Sequence, residues 1–412
     1  MKKYLISIIL ICILFSACGN THNGENTSSP DKTVLYTDEK TTVSDESHTE
    51  KASLSKVQQL LAEMTLKEKI GQLMIIRPDA LDFNLTSAQL ENTKKYGTTA
   101  LSAEMESTLS QYPVGGVVMF GKNINTPSQI QKYIASLQKN SKISMFIAVD
   151  EEGGSVSRIS NSSNFDVKKY DNMEKIGATK NADNANAVGN TIGTYLKKYG
   201  FNLDFAPDAD VNTNPDNIVI GKRSFGSEPQ LVGEMVAAEV SGFHSAGVMC
   251  CIKHFPGHGD TKGDTHKGFV AVDKTWDELK NCEIIPFNAG ISAGTDLVMV
   301  AHITAENVTG NSLPSSLSYE IVTNKLRKEL GFNGVVITDS MSMGAITTLY
   351  SSSDAAVKAI AAGADIILMP ESLKEAFDSI TNAVNNGELS ETRIDESVLR
   401  ILNLKEKYGL LK

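Results

Sequence analysis

Eight short apolar runs alternating with longer amphipathic stretches predict a single (β/α)8 barrel, and polar residues gathered at the ends of those runs predict where its site lies. The runs cover residues 72–76, 116–120, 145–149, 201–206, 247–252, 297–301, 334–338 and 365–369. Each is five or six residues long and mostly apolar, the pattern of a parallel strand buried on both faces. Helical spacing marks 128–138, 182–198, 228–246, 276–293, 320–330 and 353–362 between them. A doubly wound open sheet suits the same alternation, but no Gly-x-Gly-x-x-Gly follows the first run.

The ends of the runs carry the unusual residues. Asp150 closes the third (VDEEGG), Asp208 and Asp210 follow the fourth, and Lys253 and His254 close the fifth. His302 closes the sixth and Asp339 the seventh (VVITDS). A lone aspartate after a strand is commonly a helix cap, and Asp339 before Ser340 admits that reading. Five such ends on one barrel face are the pattern of an active site.

The stretch 253–268, KHFPGHGDTKGDTHKG, is the densest cluster. His254 and His258 have a spacing that would suit a metal on one helix face, but Pro256 and Gly257 remove the helix. His258 reads as a turn residue. Asp264 and His266 lie two apart, so on an extended segment they point the same way, and the carboxylate would orient the imidazole as an acid/base requires.

At the N-terminus, Lys2 and Lys3 precede an apolar core of residues 5–15 and then Ser16-Ala17-Cys18. That core is too short to span a bilayer and fits an export signal, residues 1–17. The small residues before Cys18 resemble a bacterial lipobox, with Phe15 where leucine is usual. The expectation is a protein held by lipidated Cys18 on the outer face of the bacterial membrane, with plain secretion the alternative. Residues 18–50 are polar and nearly free of large apolar side chains, a tether reaching roughly 30 Å, and 51–412 form the catalytic domain. Loss of the two leader lysines takes the net charge from −10 to −12, and an acidic chain with no basic run argues against nucleic acid. Cys250, Cys251 and Cys282 read as buried free thiols.

Five motifs together resemble glycoside hydrolase family 3, and within it the bacterial β-N-acetylglucosaminidases of peptidoglycan turnover: DEEGGSVSR (150–158), GKRSFG (221–226), KHFPGHG (253–259), DTH (264–266) and ITDSMSM (337–343). DTH stands where the family often reads Asp-Ser-His. The resemblance, to single-domain monomeric members, implies Asp339 as nucleophile, His266 as general acid/base and Asp264 as its orienting partner. It implies Asp150, Arg158, Arg223, Lys253 and His254 as the residues that bind the N-acetylglucosamine ring, with no cofactor or metal. Exo-cleavage of terminal GlcNAc from muropeptides or related chitin-like β-linked glycans, with retention, would follow; Glu151, Glu152 and Glu306 are the other carboxylates to weigh as acid. A phosphorylase of the same family and a non-catalytic sugar-binding lipoprotein are the alternative readings.

Overall fold

The computed structural model describes residues 54–92, 94–266 and 268–411, so the leader, Cys18 and the tether lie outside the described residues. Eight parallel strands close a barrel: β1 (Met74–Ile76), β2 (Gly116–Met119), β3 (Phe146–Val149), β4 (Leu203–Asp204), β5 (Met249–Phe255), β6 (Leu297–Val300), β7 (Val335–Ser340) and β8 (Ile366–Leu368), with β8 pairing back on β1. Every apolar run becomes a strand, and the strands are buried along almost their whole length. Closure leaves no sheet edge open to solvent.

Two strands deviate in register, and both deviations fall at the polar end. Ile252 pairs Val298 while Phe255 pairs Val300, so β5 carries one extra residue across Lys253 and His254. Ile337 pairs Ile366 while Ser340 pairs Leu368, placing another across Thr338 and Asp339. A bulge turns side chains out of the strict in/out alternation, which brings these groups to the barrel mouth.

Helices cover the barrel from outside. Ser55, Thr65, Thr275, Ser351, Ser372 and Ser390 cap theirs by accepting an early backbone N–H, which satisfies one of the donors left open at a helix start. Helices Ala182–Tyr199 and Pro229–Ala246 pack backbone to backbone, since a Cβ on Gly242 would stand 2.2 Å from the Asn186 carbonyl oxygen. The stretch expected as one helix at 276–293 is two, Trp276–Lys280 and Ile284–Ser292; Glu283 lies in the break, where its carboxylate takes the Lys274 ammonium. Cys250 and Cys251 are fully buried, but Cys282 is only half-buried, because it sits in that break.

The closing helix Glu391–Lys407 bolts the face opposite the site. Arg400 pairs with Asp365 at 3.0 Å, while Lys407 and Tyr408 both reach Asp296, each at 2.7 Å. Lys405 goes further in. Its ammonium, fully buried, donates to Gln72 Oε1 (2.6 Å) and the Gly115 carbonyl (3.0 Å) and lies 4.7 Å from the Phe146 ring centre. No carboxylate pairs with it among the described residues, and burial pushes its pKa down to about 7.

The sign of the resulting pH dependence is fixed. Between about 7 and about 10.4 the unfolded chain holds a proton that the native state lacks, so stability rises with pH across that window and is lowest below it. Lys405→Met should lack that component. Urea unfolding at pH 6.5 and 9.5 should show wild type gaining on the order of a few kcal/mol relative to the variant, and parallel pH profiles would refute a strained ammonium at this position.

Candidate active site

The site is built around a buried ammonium. Lys253, on the β5 bulge, places Nζ 3.0 Å from Asp150 Oδ1 and 2.6 Å from Glu152 Oε1. Glu152 in turn accepts two parallel bonds from Arg223, Nε at 2.8 Å and Nη2 at 2.7 Å, a bidentate geometry that holds the guanidinium flat. Arg223 comes from the short turn Gly221–Arg223 and also reaches Asp208 at 3.5 Å. Arg158 approaches Asp150 at 3.4 Å. Burial opposes ionisation of Asp150 and Glu152, but Lys253 with Arg158 for the first, and Arg223 with Lys253 for the second, hold both carboxyls below their ordinary range.

His254 is neutral in this setting. Burial pushes it down to about 4, with Arg223 acting the same way. Its Nδ1 stands 2.7 Å from Asp210 Oδ2 and its Nε2 3.3 Å from Arg223 Nη2, which assigns the proton to Nδ1 and the lone pair to Nε2. The other oxygen of Asp210 takes the His258 amide at 2.5 Å, and His258 bonds Thr261 Oγ1 through Nδ1 at 2.7 Å. The two histidines thus share a carboxylate rather than a helix face.

Asp339 stands at the β7 bulge, half-buried, with Oδ1 accepting the Ser340 amide at 2.7 Å. Burial again opposes ionisation; His302, His254, the Ser340 amide and His266 outweigh it and keep the carboxyl below its ordinary range. His302 is fixed between Ser316 Oγ and the Ser340 carbonyl, each at 2.8 Å.

His266 lies at the rim, its side chain 68% exposed, with Nδ1 2.9 Å from Asp264 Oδ1. The pair forms in a turn and not on an extended segment: Asp264 Oδ1 also accepts the His266 amide at 3.0 Å, so the carboxylate folds back on its own loop. The loop is seated on the chain after β7, where Ala345 N–H donates to the Thr265 carbonyl at 3.0 Å and Gly344 N–H to the His266 carbonyl at 3.3 Å.

These side chains enclose a cavity of about 440 Å³. Asp150, Arg158, Arg223, Lys253, His254, His266 and Asp339 all line it, and Asp264 supports His266 from behind. Phe120, Phe205, Met299 and Leu368 supply apolar wall. Cations and carboxylates beside apolar faces suit a ring that carries hydroxyls on its edge and C–H bonds on its faces.

The description "Glycosyl hydrolase family 3 N terminal domain" matches residues 65–404. The chain belongs to glycosyl hydrolase family 3. Among curated relatives, it is 33% identical over 375 residues to the β-hexosaminidase A of Pseudoalteromonas piscicida, covering 84% of this chain and 61% of that one. It is 31% identical over 316 residues to the β-hexosaminidase LpqI of Mycobacterium tuberculosis, covering 74% and 79%. Among solved structures, a glycoside hydrolase family 3 β-N-acetylglucosaminidase from Paenibacillus sp. str. FPU-7 superposes with a TM-score of 0.77 at 37% identity, covering 84% of this chain and 63% of that one. This family 3 chain therefore spans less than two thirds of the first and third of these proteins.

Glu152, Asp210 and His302 were marked in the sequence only as an alternative acid and as polar residues at run ends; the structure gives each a defined partner in the site. Glu152 sits inside DEEGG, where either glutamate could serve the turn. Its neighbour Glu151 does that, accepting the amides of Arg158, Ile159 and Ser160 and the Tyr195 hydroxyl. Glu152→Gln would leave Lys253 and Arg223 short of a shared counter-charge; unfolding free energy should fall by about 3–5 kcal/mol in urea titration, as for a broken buried pair. Wild-type stability in that variant would show that the pair is not an electrostatic keystone.

Proposed function

We propose that the protein is an exo-acting, retaining β-N-acetylglucosaminidase that removes terminal non-reducing GlcNAc from β-linked glycans. The observation that carries this reading is an ionised aspartate, Asp339, inside a sugar-sized cavity whose rim holds a histidine–aspartate pair. Relatives named β-hexosaminidase and β-N-acetylglucosaminidase support the same class.

In this mechanism Asp339 attacks the anomeric carbon while the glycosidic C–O bond breaks, and His266 gives its Nε2 proton to the departing oxygen. A covalent glycosyl-aspartate results. Neutral His266 then takes a proton from water, whose oxygen displaces Asp339 and restores the original configuration. Asp264 on Nδ1 fixes the tautomer and the orientation of the ring. Asp150, Arg158, Arg223, Lys253 and His254 bind the ring hydroxyls, and a pocket made for those groups rejects sugars that lack them. We also propose export and anchoring through Cys18; Cys18→Ala should release the protein from membranes with its specific activity intact, and equal membrane retention would refute the anchor.

Asp339→Asn should lower turnover by at least about three orders of magnitude, and a slow 2-fluoro glycoside should label the peptide containing Asp339 in wild type. Labelling of Asp150 or Glu152 would overturn the assignment. His266→Ala should lose roughly 10²- to 10⁴-fold against a disaccharide but far less in the first step with a nitrophenyl glycoside, where a burst should appear and azide should accelerate the second step. Asp264→Ala should show a milder form of the same pattern. Equal losses on both substrates, without burst or azide rescue, would make His266 structural. Hydrolysis unaffected by added phosphate separates this reading from a phosphorylase.

A further inference from the structure

The segment between β1 and β2 supplies a wall of the cavity that none of the assigned residues explains. Arg77, at the end of β1, donates through Nη1 to Glu91 Oε1 at 2.7 Å and to the Leu90 carbonyl at 2.8 Å, and through Nη2 to Glu91 Oε2 at 3.2 Å. Lys122 donates to the same Leu90 carbonyl at 3.0 Å and pairs with Asp79 at 3.0 Å. Arg77, Leu90, Glu91 and Lys122 all face the cavity. Both cations of this wall are already matched by a carboxylate. The Glu91 side chain remains 47% exposed, against 12% for Arg77, so what the wall presents outward is the carboxylate.

The side of the cavity on which it stands follows from the hydrogen bonds. Arg77 Nη2 also donates to Ser342 Oγ at 3.1 Å, and Ser342 Oγ lies 2.9 Å from Ser340 Oγ, one residue beyond Asp339. Gly344 and Ala345, two and three residues beyond Ser342, seat the loop of His266. An acid must face the glycosidic oxygen, so the leaving group departs on the His266 side, across Ser342.

From this we infer that the Arg77–Glu91 pair is a specificity element for the leaving group, favouring neutral, hydroxyl-bearing sugars over sugars that carry a carboxylate near the bond. The inference rests on the glycosidase reading above. Glu91 accepts hydroxyl donors and repels a second carboxylate, while Arg77, held bidentately, offers an anion no unpaired charge.

The test compares kcat/KM of the full chain for GlcNAc-β-1,4-GlcNAc and for GlcNAc-β-1,4-N-acetylmuramic acid. Wild type should favour the neutral disaccharide, and Glu91→Gln should shift the ratio toward the anionic one by about threefold to tenfold at low salt, the size of one like-charge contact in a wet cleft. Because the readout is a ratio, losses common to both substrates cancel. In wild type alone, raising NaCl to roughly 0.5 M should narrow the preference, since the screening length then falls to a few ångströms. That measurement stands even where the variant fails to fold. A wild-type preference for the muramyl disaccharide, a ratio unmoved by Glu91→Gln, or a salt-independent preference would overturn the inference while leaving the glycosidase reading intact. Failure of wild type to cleave both disaccharides and a nitrophenyl GlcNAc glycoside would remove both.

Discussion

The site depends on the neutralisation of Lys253. An ammonium with 3% of its side chain exposed cannot stay charged without partners, and Asp150 and Glu152 are the partners it has. The same requirement passes to Arg223, which shares Glu152, and to Arg158, which shares Asp150. Three segments distant in sequence are thereby held in one arrangement: the β3 end with the turn after it, the turn 221–223 and the β5 bulge. Charges paired in this way lie fixed before any ligand arrives, which is the condition under which polar groups discriminate among sugar hydroxyls.

The opposite face uses buried charge differently. There Asp296 and Asp365 gather Lys407, Tyr408, His244, Arg327 and Arg400, tying the closing helix to strand entries. These carboxylates accept backbone amides as well, Cys250 N–H on Asp296 and Val336 N–H on Asp365, so they complete the ladders at their start. Structural ion pairs thus close the N-terminal mouth of the barrel, while the candidate site occupies the C-terminal mouth.

The strands were legible because a parallel barrel buries both faces and writes them as plain apolar runs. The candidate residues were legible because each closes a run or falls in a family motif. The pairings were not. Nothing in DEEGG distinguishes Glu151, which serves the turn through three amides and the Tyr195 hydroxyl, from Glu152, which meets Arg223 seventy-one residues away. Asp210 was visible only as one of two aspartates after the fourth run, since its partner His254 lies on another strand. The bulges at Lys253–His254 and Thr338–Asp339 are equally silent, because an extra residue is a property of two strands in register and not of either alone. The Asp264–His266 pair was legible in identity but not in geometry: spacing suggested an extended segment, and the turn arises because Asp264 finds the His266 amide as well as its ring.

The proposed nucleophile and acid make opposite demands on the fold, and the chain after β7 reconciles them. Asp339 must stay ionised among histidines inside the cavity, and so belongs on a strand. His266 must meet a leaving group and then water, and so belongs on a solvent-facing loop. A loop alone would let the imidazole wander, and a 1 Å error in a catalytic group is costly. The backbone bonds from Gly344 and Ala345 to the carbonyls of His266 and Thr265 refer the loop to the short stretch that also carries Asp339. The buried Thr265 side chain, between half-buried Asp264 and exposed His266, adds an anchor on the inner side of the loop. The two groups are thus positioned from one strand end, which lets the acid remain exposed without losing its register on the bond to be broken.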